Sequence, residues 1–104
     1  MNTALHVEVS DVAAGQIRAA EAWWRVNRPK APNAIREDVE RGSALVATRP
    51  DIGARARGFT LDGVRRIHLR RIRYYLYYRI SEVPNQLDVL GFWHSSRHDD
   101  PPIG

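Results

Sequence analysis

The chain has 104 residues, 43% hydrophobic and 27% charged, which fits one globular domain and argues against wholesale disorder. Its 16 basic and 12 acidic residues leave a formal charge of +4; Lys30 is the only lysine, and every other basic residue is arginine. No cysteine is present, which excludes disulfides, thiolate metal sites and cysteine nucleophiles. No stretch approaches the roughly 18 apolar residues of a membrane span, and "MNTALHVEVS" lacks the basic and apolar regions of a signal peptide. A soluble, cytoplasmic domain spanning 1–104 is the expectation.

In chain order, "ALHVEVS" (4–10) alternates Leu5, Val7 and Val9 with His6 and Glu8, the pattern of a half-buried strand. Ser10 stands at an N-cap position, and Asp11 follows in the first turn, favourable beside the positive end of a helix dipole. Ala13, Ile17, Ala20 and Trp24 then recur at helical spacing, until the prolines of "NRPKAPN" stop the helix. A second helix is expected from Pro32 or Asn33 to Ala47. Its Ile35, Val39, Gly42 and Val46 repeat the same spacing, so the two helices read as an antiparallel hairpin, with Gly42 marking a close helix–helix approach. After "TRPDIGARARGF" come three β-rich runs, 64–70, 74–80 and 86–93, with one more short strand around Arg55–Thr60. The fold class is therefore α+β: an N-terminal strand, a helical hairpin, then an antiparallel sheet of three to four strands. Residues 95–104 read as a polar, partly mobile tail.

The central run "GVRRIHLRRIRYYLYYRI" (63–80) holds six arginines, four tyrosines and no acid. Alternation sends Arg65, Ile67, Leu69 and Arg71 to one face, with Tyr74, Leu76, Tyr78 and Ile80 beside them against the helices. The other face then carries Arg66, His68 and Arg70 next to Tyr75, Tyr77 and Arg79, a ladder of guanidinium, imidazole and phenol. Unpaired arginines raise the local potential and favour an anionic ligand or an acidic partner. Antiparallel sheets also commonly leave one face solvated, so a plain solvent face explains the same pattern. His94 and Arg97 follow the last strand, where functional groups often stand. His68, His94 and His98 lack metal-ligand spacing, and Ser95 and Ser96 lack a nucleophile elbow. One of Trp23 and Trp24 must point outward, where it can act as a protein-binding anchor. No cofactor motif is present.

The order of strand, helix pair, "L…RPDIG", "GVRRIHLRRIRYYLYYRI" and "LDVLGFWHSSRHD" resembles the ParE/RelE superfamily of type II toxin–antitoxin toxins, over about Val7 to Arg97. The "WW" pair belongs to the superfamily's recurrent elements, and "GVRR" and the closing "H..R" are more similar to the ParE branch. That resemblance implies a toxin that arrests growth by inhibiting DNA gyrase, is not an ordinary enzyme, and is neutralised by a cognate ParD-like antitoxin in a hetero-oligomer. The RelE branch implies the alternative, a ribosome-dependent mRNA endonuclease, for which Arg66, His68 and Arg97 are the catalytic candidates. Against that branch, Tyr75 stands where its arginine is expected, and the tail, with Ile103 near that place, has no tyrosine. A degenerate, non-toxic nucleic-acid-binding member is the third reading. The resemblance makes Arg65, Arg66, His68, Arg70, Tyr75, Tyr77, His94 and Arg97 the target-binding candidates. Ile17, Trp23, Trp24, Arg73 and Arg79 are those for the antitoxin.

Overall fold

The computed structural model describes residues 3–104. It contains β1 (His6–Val9), α1 (Asp11–Asn27), α2 (Ala34–Thr48), β2 (Ala54–Arg55), β3 (Arg65–Leu69), β4 (Tyr74–Ile80) and β5 (Gln86–His94). The strands form one sheet in the order β1-β5-β4-β3-β2. Strands β2 to β5 pair antiparallel as their sequence suggests, whereas β1 runs parallel to β5, with His6 opposite Gln86 and Val9 opposite Val89. The long stretch of chain between them, two helices and three strands, permits that parallel pairing, which no tight turn could make. The strand expected over 55–60 is only two residues long.

Both helices form for the reasons visible in their sequence. The Ser10 hydroxyl accepts the Ala13 N–H at 3.1 Å, satisfying one of the unpaired donors of the α1 start. Along α1, Ala13 and Ala20 are buried, while Ile17 and Trp24 pack partly covered against the same core. The Trp24 indole donates to the Ala31 carbonyl at 2.9 Å and pins the interhelical loop. On α2, Ile35, Gly42 and Val46 are buried. Gly42 does mark a close approach, but to β3 rather than α1: a Cβ there would lie 2.8 Å from Leu69 Cδ2 and 3.4 Å from Ile67 Cδ1.

The main core fills the space between the helices and one sheet face, around Ile35, Ile72, Leu76, Tyr78, Leu87, Val89 and Phe92. Burying each large apolar side chain contributes about 1.5–3 kcal/mol. Ile80, expected inward with this set, is 60% exposed at the end of β4. Tyr78 is fully buried, and its hydroxyl is satisfied by the loop after α2. It donates to the Pro50 carbonyl at 2.9 Å and accepts the Gly53 N–H at 2.9 Å. Burial lifts its pKa above the ordinary tyrosine value, so the hydroxyl keeps the proton it donates.

The opposite sheet face differs from expectation. Tyr77, expected to face solvent, is 2% exposed and forms a second small core with Val64 and Leu90. Ala56, Phe59, Leu61, Tyr75, Trp93 and Ile103 cover it. Leu90 reaches this face through a β-bulge: Tyr77 faces Gly91 and Tyr78 faces Val89, so Leu90 has no partner opposite it. One extra residue in a strand shifts the alternation by one, and Leu90 joins the outer face beside Gly91. The C-terminal segment, expected to be loose, docks here: Pro101 is buried and Ile103 packs into the cluster.

The loop "RPDIG" is shaped by the Tyr78 hydroxyl. A Cβ at Gly53 would collide with that oxygen and stand 2.9 Å from the Arg66 carbonyl. Gly53→Ala is therefore expected to destabilise the fold by about 1–3 kcal/mol through overpacking. Thermal unfolding reads this as a lowered Tm, and an unchanged Tm would refute the close fit.

Candidate functional site

The site is built on the β3–β4 hairpin and the end of β5. In the hairpin turn Ile72 is buried and anchors the loop, so Arg70, Arg71 and Arg73 project outward. Arg73 adopts φ 62°, a left-handed conformation that closes the turn, and its N–H donates to the Leu69 carbonyl at 2.8 Å. Arg71 reaches α2, where its guanidinium contacts Asp38 at 2.8 Å and Glu37 at 3.0 Å. Arg41 also contacts Asp38, at 3.2 Å. These contacts with Glu37 and then Asp38 raise the Arg71 pKa further, and the cation neutralises a carboxylate that is only 7% exposed. Among the described residues, Arg66, Arg70, Arg73 and Arg97 have no carboxylate partner within salt-bridge distance.

Two aromatic–cation groups flank the hairpin. On the outer face the Arg66 guanidinium lies 4.0 Å from the Tyr75 ring centroid and donates to the Tyr77 hydroxyl at 3.2 Å. His68, exposed, sits 5.0 Å from the same Tyr75 ring. The pairing of Arg66 with Tyr77 and of His68 with Tyr75 across the two strands brings these four side chains together. Arg65 points to the other face and donates to the carbonyls of Gly53 at 2.7 Å and Asp51 at 3.3 Å, clasping the loop after α2. Of the eight target-binding candidates, Arg65 therefore lies on the face opposite Arg66, His68, Tyr75 and Tyr77.

The second group lies at the end of β5, against α1. Tyr74 stacks on Phe92 with centroids 4.4 Å apart, and His94 meets the Tyr74 ring edge-on at 5.0 Å. Arg97 lies over Trp93 at 4.0 Å. With Gln16, Ala19, Ala20 and Trp23 of α1, these residues line a groove of about 480 Å³. Trp23 is 49% exposed at its edge, beside the Arg28 guanidinium. Of the residues proposed to bind an antitoxin, Trp23 borders this groove, Ile17 and Trp24 pack against the core, and Arg73 stands exposed on the turn. Arg79 is half-buried, and its Nε has no hydrogen-bond partner. Among the described residues no group of three or more His, Asp or Glu side chains could hold a metal ion. Gln16, half-buried at the groove floor, carried no signal in the sequence beyond being a polar residue beside an apolar helical stripe.

His94 is a base whose pKa the site displaces. Its Nδ1 accepts the Ser96 N–H at 3.1 Å and is 2.6 Å from the Ser96 hydroxyl, which fixes the neutral ring with its proton on Nε2. Burial lowers its pKa below the ordinary 6.5, and the positive charges of Arg73 and Arg97 and the nearby His68 lower it further. His94 is thus neutral near pH 7. Because the folded pKa is depressed, the unfolded chain binds the proton first as pH falls. The stability that neutral His94 contributes is complete above its unfolded pKa and declines as pH drops through that value toward the folded one. NMR titration is expected to place the His94 midpoint below the ordinary histidine value of 6.5, and His94→Gln should flatten the loss of stability in mild acid. A midpoint at or above 6.5 would contradict the burial.

A family model described as "ParE toxin of type II toxin-antitoxin system, parDE" matches residues 7–99, and the chain belongs to that family. None of the curated proteins matches the chain. A solved structure described as the chromosomal ParDE TA system from P. aeruginosa is similar in fold. The TM-score is 0.67 at 20% sequence identity, over 86% of this chain and 95% of that one. No helix among the described residues is long and apolar enough to cross a membrane.

Proposed function

We propose that this chain arrests bacterial growth by inhibiting DNA gyrase and is held silent by a cognate ParD-like antitoxin. The observation that carries the reading is the environment of Arg66. Its guanidinium lies against Tyr75 and is bonded to Tyr77, and His68 packs on the same tyrosine. Cleavage at an RNA 2′-hydroxyl needs a base within hydrogen-bond reach and cations at the phosphate. Here the candidate base and cation are both packed on Tyr75, while the depressed His94 bonds Ser96 beside α1. An aromatic face edged by arginine suits contact with a protein surface, where Tyr, Trp and Arg dominate binding energy.

The antitoxin is expected to place an acidic amphipathic segment in the groove between α1 and β5, with Trp23 as apolar anchor and Arg28 and Arg73 meeting its carboxylates. A gyrase target implies the cytoplasm as the place of action.

In a supercoiling assay the purified protein is expected to block gyrase and to accumulate cleavage complexes. Normal supercoiling at large toxin excess, together with mRNA cutting on programmed ribosomes, would overturn the reading in favour of the endonuclease. In that case Arg66→Ala, His68→Ala and Arg97→Ala should each abolish cutting. Induced expression without growth arrest would contradict both and leave a non-toxic member of the family.

A further inference from the structure

β5 outruns its neighbour. Strand β1 ends at Val9, opposite Val89, so the edge of β5 beyond that point has no strand beside it. Three contacts take the place of the missing strand. The Phe92 N–H donates to Gln16 Oε1 at 2.7 Å. Gln16 Nε2 donates to the Pro102 carbonyl at 2.9 Å. The Gly104 N–H donates to the Leu90 carbonyl at 3.3 Å. Both ends of the Gln16 amide are used, and only an amide offers an acceptor to one backbone group and a donor to another from the same carbon.

Gly91 makes room for this arrangement. A Cβ there would lie 2.9 Å from Ile103 Cγ2, so the bare glycine backbone is the notch that Ile103 fills. The segment between these anchors, 93–101, carries His94, Ser96 and Arg97. On its other side Ser95 ties it to the hairpin turn, donating from its N–H and hydroxyl to the Arg73 carbonyl at 2.8 and 2.9 Å. Among the described residues Arg97 has no ion pair to hold it, and it rests on the Trp93 ring.

We propose that Gln16 is a positioning residue of the target-binding edge. By bridging Phe92 and Pro102 it straps the C-terminal segment to β5 and fixes the loop that presents Arg97. The inference rests on the reading that this edge meets the toxin's target. Its defining feature is coupling: Gln16 acts through the docked tail, so breaking either one should have the same consequence.

The test is a double-mutant cycle in the full-length chain with Gln16→Glu and Ile103→Ser. Glutamate at 16 can still accept the Phe92 N–H but cannot donate to Pro102. Each single variant is expected to need about tenfold more protein for half-maximal gyrase inhibition, the scale of one lost hydrogen bond at a contact. The double variant should lose no more than either single one. Amide hydrogen exchange should rise over 96–100 in both, while the Phe92 amide stays protected in Gln16→Glu. Full inhibition by Gln16→Glu, or losses that multiply in the double variant, would overturn the proposal. If the wild type arrests growth without inhibiting gyrase, the target reading fails by itself. The same cycle read as growth arrest then decides the strap, with undiminished arrest by Gln16→Glu counting against it. Gln16→Met, similar in length but without either hydrogen bond, serves as the folding control and should match Gln16→Glu in potency.

Discussion

The bulge opposite Tyr77 is the constraint on which the rest of this molecule depends. With Leu90 and Gly91 both facing away from the helices, the outer sheet face acquires a core of its own instead of a solvated surface. Leu90 supplies apolar area, Gly91 supplies a notch, and Ile103 fills it. Bulges near sheet edges commonly re-aim a strand end. Here the re-aimed end is the part of β5 that carries Phe92, Trp93 and His94 to the groove beside α1. The outer cluster also gives Arg66 a floor, because Tyr77 can hold its hydroxyl toward the guanidinium only if the ring below is packed.

Electrostatics follow from that packing. Fifteen arginines surround twelve acids, yet the described arginines are used unevenly. Arg71 is consumed internally by Asp38 and Glu37, and Arg65 by backbone carbonyls. Arg66 and Arg97 rest on aromatic rings, which restricts their motion while leaving the charge uncompensated. Arg70 and Arg73 extend from a turn anchored by buried Ile72. Arg73 and Arg97, with no ion pair among the described residues, stand close to His94 and His68 at one end of the sheet. An acidic partner segment would be drawn there over roughly a Debye length, about 8–10 Å at physiological salt.

Much of this could be read from the residues in order. Ser10, the two helical stripes, the order of elements and the inward set Leu76 and Tyr78 all rest on local periodicity, and local periodicity survived folding. The features that could not be read rest on pairing between distant segments. Nothing within "HVEV" says that it pairs parallel to β5, and nothing within "LDVLGFW" marks Leu90 as the extra residue. Alternation placed Tyr77 on the outer face correctly, but it could not show that residues 56–61 and Ile103 cover that face. The polar composition of 95–104 likewise hid the docking of Pro101 and Ile103, whose partner Gly91 lies on another element. Gln16 escaped notice because its role is defined by two backbone groups far along the chain. Gly42 was legible as a close approach but not as to which element, since a glycine reports a missing side chain and not what occupies the space.

The outer face is a packed second core that holds the arginine–tyrosine set, rather than an open ladder. The unfolding free energy of Tyr77→Ala measures this directly. A residue packed in a core is expected to cost about 3 kcal/mol or more on truncation, whereas a solvent-facing strand residue changes stability by about 0.5 kcal/mol. We expect the larger loss, with Arg66 released from its position. A change within the smaller range would contradict the buried cluster and return the hairpin to a plain solvated face.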